Sequence, residues 1–396
     1  MKLIKWKQDK ITLIIMKLGL GRDWSEVKRF EKLDEKERSI VFYLENESDF
    51  IFFKPIIEKL TEEYDTKICY VTSSKTDPML NSNNKNILPF YIGDGVARSN
   101  FFINLKASIM IMTMPDLETF YIKRSKVYPV HYVYIFHSLN STQRAYRNTA
   151  FDNFDTIFCT GNYQIIEIQE RERKFNLKKK KLVKHGYGRL DALINQVQNT
   201  DVRNNVSPKV VLVAPSWGAN GLIETKGKEI VHILLDSGFH VILRPHPMTI
   251  KKSNKVIQKI ENEFKNNLNF KLETDIRNIE SWFSCDCMIS DLSGAAIEYS
   301  FAFEKPILYV VTPEKIVQEK QMDLTSLEEK IRPQIGEVVP LSQLTLIPSK
   351  INQLLVSENR FKEKIQKIRE ETVFNIGNSA EQGAKHLLEL KKSLVS

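Results

Sequence analysis

Four short stretches carry residue types that can do chemistry, and each follows an apolar, strand-like run. The first is Ser290-Asp291-Leu292-Ser293-Gly294, directly before the apolar-periodic run Ala295 to Phe303. Ser293 is placed to cap a helix, and Gly294 lets another group approach the backbone closely. A helix start presents unpaired N–H groups and the positive end of its dipole, which suits a phosphate. In an open parallel sheet, ligands gather at the carboxyl ends of the strands, where this turn lies. Taken alone, an ordinary capped turn is the commoner explanation.

A second stretch, Arg244-Pro245-His246-Pro247, follows the run His240 to Leu243. Two prolines hold the imidazole at a rigid strand exit, and Arg244 adds a permanent charge whose fork suits phosphate oxygens. A basic pair at one strand end and a capped helix at another is what binding a nucleotide diphosphate requires. The third stretch, Ala214-Pro215-Ser216-Trp217-Gly218, offers a hydroxyl and an aromatic ring. Trp217 is suited to stacking on a base or covering a cleft, although hydrophobic packing is the more usual role. The fourth, Ile135-Phe136-His137-Ser138, ends an aromatic strand with a histidine, which titrates near neutrality and can take a proton from an attacking hydroxyl. A lone histidine is more often structural.

These exits need strands to place them. From Ser39 onward, runs rich in Ile, Val, Phe and Tyr alternate with helix-length stretches: residues 40–44, 67–72, 86–91, 107–112, 130–136, 156–160 and the short 182–183. A second set lies at 209–214, 240–243, 270–273, 287–290 and 307–311. Continuous apolar strands separated by helices predict parallel sheets covered on both faces. The division expected is a basic amphipathic segment at 1–38, a first α/β domain at 39–194, a polar linker at 195–208, and a second α/β domain at 209–396. The last of these closes with two charged helices near 349–371 and 379–392. Two doubly wound domains then face one central cleft. Within 1–38, Ile4, Ile11, Ile14, Ile15 and Leu18 fall at helical spacing among lysines, with Trp6 beside them. That pattern fits an in-plane membrane helix and equally a helix packed on its own domain.

The 396 residues include 58 Lys+Arg against 49 Asp+Glu, a net charge of +9 that suits an anionic membrane, a nucleotide, a phosphate-rich polymer or nucleic acid. Cys69, Cys159, Cys285 and Cys287 show neither a disulfide framework nor a zinc spacing, so buried free thiols in a reducing cytoplasm are expected. No apolar run near the start is long enough to span a bilayer, and the chain is expected to remain inside the cell. The phosphate-loop, dinucleotide and nucleophile-elbow motifs are absent, as is Asp-x-Asp, which weakens kinase, dehydrogenase, hydrolase and metal-centred readings.

In their order, several elements resemble the CDP-glycerol glycerophosphotransferase family of teichoic-acid primases, polymerases and related capsule enzymes. They are His137, Phe154 to Gly161, Gly186-Tyr187-Gly188-Arg189-Leu190-Asp191, Ala214 to Trp217, Arg244 to Pro247, Ile289 to Ser293, Glu304-Lys305-Pro306 and the tail Phe374 to Ala380. The resemblance spans roughly residues 130–390. It implies a GT-B fold and transfer of glycerol phosphate from a CDP-activated donor to a polymer or lipid-linked primer, with release of CMP. It implies His137 as general base and His246 as its partner across the cleft. Ser216, Trp217, Arg244, Ser290, Asp291, Ser293 and Gly294 fall on the donor side, and Ser138, Arg189 and Asp191 on the acceptor side. No cofactor or metal is implied, and no nucleic acid partner is expected. The sequence departs where the family usually has Gly and Thr after its histidine (here Ser138 and Leu139) and Pro and Asn at Gly188 and Leu190. These changes fall on the acceptor side.

Three rivals remain on the residues alone. One is a GT-B glycosyltransferase using a nucleotide sugar for capsule or lipopolysaccharide. Another is a basic, non-catalytic membrane- or nucleic-acid-binding protein. The third is a sugar-nucleotide epimerase, which would need clustered carboxylates such as Asp191, Asp291 and Glu298.

Overall fold

The structure, a computed structural model, describes residues 21–200, 208–275, 278–312 and 324–395. Among the described residues, seven strands form the first sheet: β1 (Ile40–Leu44), β2 (Ile68–Thr72), β3 (Ile87–Tyr91), β4 (Ile109–Met112), β5 (His131–Ile135), β6 (Thr156–Cys159) and β7 (Lys181–Lys184). Their order is β3-β2-β1-β4-β5-β6-β7. Six strands form the second: β8 (Val210–Val213), β9 (His240–Leu243), β10 (Phe270–Leu272), β11 (Cys287–Ser290), β12 (Ile307–Val311) and β13 (Gly336–Pro340), in the order β10-β9-β8-β11-β12-β13. All neighbours pair in parallel. Each sheet reverses direction of winding at its centre, between β1 and β4 and between β8 and β11, and such switch points open a crevice at the strand ends.

The alternation of side chains explains why these runs became central strands. Along β1, Val41 and Tyr43 enter one core while Ile40, Phe42 and Leu44 enter the core on the opposite face. Along β8, Val211 and Val213 face one layer, and Val210 and Leu212 the other. A strand apolar at every position is stable only with helices on both faces. All four cysteines are free and buried.

The structure differs from the expected division at several points. The segment at 1–38 does not stand apart: its helix Arg22–Glu31 packs on the first sheet through Val27 and Phe30. The membrane-helix expectation falls on residues 1–20, outside the described residues. The linker expected at 195–208 begins inside the helix Gly188–Gln198, and residues 201–207 lie outside the described residues. Leu190 and Leu193 of that helix join the second domain's core. Conversely, Ala384, Leu387 and Leu390 of the final helix, Ser379–Val395, enter the core of the first domain. The helix expected at 349–371 is two, Ile347–Val356 and Glu358–Thr372, broken at Ser357. Strand β13 carried no clear signal, because it is a short edge strand with Glu337 in it. At its head a Cβ on Gly336 would collide with the Ile307 carbonyl, so the pairing with β12 requires glycine there. Among the described residues, no helix is long and apolar enough to cross a membrane.

Candidate active site

The switch point of the second sheet is held by side chains from the predicted turns. Ser216 donates to Asp291 from its backbone N–H at 2.7 Å and from Oγ at 2.8 Å, joining the exits of β8 and β11. Ser290 Oγ donates to the Ala214 carbonyl at 2.8 Å across the same gap. Burial raises the Asp291 carboxyl above its usual range, and the two Ser216 bonds pull it back. Both serines and Asp291 therefore shape the crevice from within its walls. Beyond them begins the helix Gly294–Phe303, with Ser293 at its N-cap and no side-chain cap bond. A methyl group on Gly294 would lie 2.7 Å from Asn140 Oδ1, so this helix start meets the β5 exit loop of the other domain. The sheets thus present their strand ends to a shared cleft.

At the exit of β9, Arg244 turns inward. It is buried and donates to Glu273, to the Asn278 carbonyl at 2.5 Å and to Ser281 Oγ at 3.4 Å. Its charge is matched there by Glu273 and is not presented to the cleft as the sequence suggests. His246 is held differently: its Nδ1 accepts from the Met248 N–H at 3.0 Å, capping the turn Pro247–Lys252. A nitrogen that accepts carries no proton, so Nε2 is the protonated, donating nitrogen. Trp217 stacks on this ring with centroids 6.2 Å apart, and Lys252 Nζ lies 4.5 Å from the Trp217 centroid. Trp217 is therefore engaged with His246 and Lys252, which sets the imidazole plane.

His137, at the exit of β5, has the opposite arrangement. Its Nδ1 lies 3.2 Å from the Thr113 carbonyl and 3.3 Å from Tyr134 Oη. A carbonyl can only accept, so Nδ1 carries the proton and Nε2 holds the free electron pair. The half-buried ring is flanked edge-on by Phe52 and Tyr146. Burial pushes its pKa down to about 4, with the Thr113 bond opposing, so the imidazole is neutral at physiological pH. Ser138 Oγ pairs with Tyr146 Oη at 3.2 Å.

Arg189 and Asp191, read from the resemblance as acceptor-side groups, stand in ties between chain segments. Arg189 Nε donates to Glu298 at 2.7 Å, and Tyr187 Oη donates to the same carboxylate at 2.8 Å. Asp191 accepts from the Gly377 N–H at 2.7 Å, the Ser379 N–H at 3.1 Å and Ser379 Oγ. The three carboxylates that an epimerase would need are thus each engaged by a different set of partners.

Residues outside the sequence motifs complete the domain interface. Glu167 accepts from Ser141 Oγ at 2.5 Å and from the Thr142 N–H and Oγ1, both at 2.6 Å. Glu328, from the second domain, accepts the Ser141 N–H at 3.0 Å, while Arg144 reaches Ser326 Oγ at 2.7 Å and Glu329. Acidic residues on a helix in the linear sequence read as solvated, so nothing marked these as buried. Burial pushes the Glu328 carboxyl up to about 7, with Ser141 and Arg144 pulling it down.

This raised value has a sign that can be tested. Folded Glu328 holds its proton more tightly than the unfolded chain, whose glutamates titrate near 4.5. The contribution is present at acid pH and is lost as pH rises from about 4.5 to about 7. Glu328→Gln removes the titration, so its melting temperature relative to wild type should rise between pH 5 and pH 8. An equal difference at both values would contradict the raised pKa.

Two doubly wound parallel sheets whose strand ends face a single cleft define the GT-B class. Residues 35–369 match the family CDP-Glycerol:Poly(glycerophosphate) glycerophosphotransferase. The chain belongs to this family and is a glycerophosphotransferase of it. Its fold is similar to that of the wall teichoic acid polymerase TagF, in a variant soaked with CDPG, with TM-score 0.61, 14% identity and 100% of each chain covered. It is also similar to Staphylococcus aureus MnaA in complex with UDP, with TM-score 0.58, 15% identity, and 89% of this chain and 97% of that one covered. A UDP-N-acetylglucosamine 2-epimerase-like protein from Listeria monocytogenes gives 0.58 at 13% identity, covering 91% and 97%. At these identities the likenesses concern the fold alone. No protein of curated function matches the sequence.

Proposed function

We propose that the enzyme transfers glycerol phosphate, or a related polyol phosphate, from a CDP-activated donor to a hydroxyl of a teichoic-acid-like polymer, capsule glycan or lipid-linked primer, releasing CMP. The observation that carries this reading is the opposed tautomers of His137 and His246, one from each sheet. His137 Nε2 holds a free electron pair, while His246 Nε2 holds a proton. One accepts the proton of an attacking hydroxyl, and the other donates to a phosphate oxygen.

In the step envisaged, the acceptor oxygen forms a bond to the phosphorus that bears glycerol. The anhydride P–O bond to CMP breaks, and its electron pair leaves on CMP. The hydroxyl proton passes to His137 Nε2. Phosphoryl transfer needs positioning and charge stabilisation more than covalent help, and both histidines sit at strand exits suited to that. Closure of the domains brings the acceptor side against the donor side, as the Ser141–Glu328 contact does. A basic chain of net charge +9 fits a polyanionic acceptor and attachment to the anionic cytoplasmic face of the cell membrane. Incubating purified protein with CDP-glycerol, CDP-ribitol and UDP-linked sugars should yield CMP from a CDP-linked donor and no UDP. Release of UDP alone would overturn the reading in favour of a glycosyltransferase.

A further inference from the structure

A diphosphate brings negative charge that the donor side must meet, and Arg244 is committed to Glu273. The described residues offer another cation at the cleft. Leu327–Ile335 is a helix beginning beside the β5 exit loop, and Glu328 and Arg332 lie four residues apart on it, hence on one face. Both line a cavity with Asp291, Leu292 and Ser293, the residues that lead into the helix Gly294–Phe303. Arg332 is half-buried and makes no hydrogen bond or ion pair among the described residues. Glu328 is 4% exposed, and although Ser141 occupies Oε1, its Oε2 is buried with no partner among the described residues. A buried polar atom left unpaired is costly, and a ligand that supplies the partner offsets that cost.

Three features therefore converge on one cavity: a helix start with no side-chain cap bond, and, among the described residues, a guanidinium without an ion pair and a buried carboxyl oxygen without a partner. Resting on the donor reading above, we propose that this cavity marks the diphosphate cradle of the nucleotide donor, in which Arg332 meets the phosphate charge and Glu328 hydrogen-bonds to the same group through Oε2. Oε1 accepts the Ser141 N–H, so the acid form of this carboxyl, which burial favours, carries its proton on Oε2 and can donate an O–H bond to a phosphate oxygen. Arg332 suits the task through its planar fork, which binds two phosphate oxygens at once.

The test is calorimetric titration of the full chain with CDP, UDP and cytidine. Arg332→Gln should weaken CDP and UDP about ten- to a hundredfold and leave cytidine unchanged, since only the diphosphates reach the guanidinium. Arg332→Lys should fall between, because it keeps the charge and loses the fork. Unchanged diphosphate affinity in Arg332→Gln overturns the proposal. So does an equal loss for cytidine, or a wild-type protein that binds neither diphosphate. Wild type that binds UDP but releases no CMP from CDP-glycerol would sink the glycerophosphate reading instead. The Arg332 assignment would then stand or fall on its UDP arm alone.

Discussion

Replacing His246 by alanine is expected to lower turnover by about two to three orders of magnitude, the usual cost of losing a donor aimed at developing negative charge. The fold should survive. What the alanine removes structurally is the bond from Nδ1 to the Met248 N–H, and loss of such a cap costs about 1 kcal/mol. Asparagine separates the two effects, because its side-chain oxygen can accept from the Met248 N–H while the imidazole Nε2–H is gone. His246→Asn should therefore recover most of the thermal stability and none of the activity. The measurements are a melting curve and the rate of CMP release. A protein that melts far below wild type yet keeps its activity would assign His246 to the structure rather than to the reaction.

His137→Ala is expected to reduce kcat by about two to four orders of magnitude, the range typical of a general base. Donor affinity should hardly change, because the donor groups belong to the second sheet. The pH profile gives a second reading. Burial places the His137 pKa at about 4, so its Nε2 stays unprotonated at neutral pH and begins to protonate only as pH falls towards that value. Activity that depends on this base should persist through mildly acid pH and fall near pH 4, provided the fold holds. Thr113 contributes only a backbone carbonyl, so the tautomer should survive substitution of that side chain. A parallel fall in donor affinity and rate in His137→Ala would make it a binding residue.

Much of the fold was legible because it is written in short-range patterns. Runs such as Ile40–Leu44 and Val210–Val213 are apolar at every position, and a strand of that kind needs helices on both faces. The alternation of strands with helix-length stretches then leads to parallel sheets. Proline and glycine at strand exits marked the turns that carry His246 and Gly294. The order of those exits along the chain was enough to indicate the family. What escaped was short, polar or at an edge, as with β13, or depended on where a helix docks. The final helix is amphipathic in sequence, but nothing in its pattern says that Leu387 and Leu390 enter the core of the first domain rather than the second.

The division between sequence and structure is sharpest among the charged and titratable residues. Residue order alone sets which side-chain types stand at each strand exit, since backbone periodicity fixes where a strand stops and which residues form the next turn. What each of them faces is settled by the packing of the whole chain. Arg244 and Arg332 are indistinguishable as residue types, yet one is buried against Glu273 and the other lines a cavity beside the start of a helix. Asp191 and Asp291 both look available for chemistry, and both are bound to serines brought near by the fold. Protonation obeys the same rule. His137 and His246 are identical side chains with opposite tautomers, because one ring nitrogen meets a carbonyl and the other an N–H. The physical reason is range: strand and turn propensities act over a few residues, whereas desolvation and hydrogen-bond pairing depend on groups separated by tens to hundreds of positions, as Ser141 and Glu328 are.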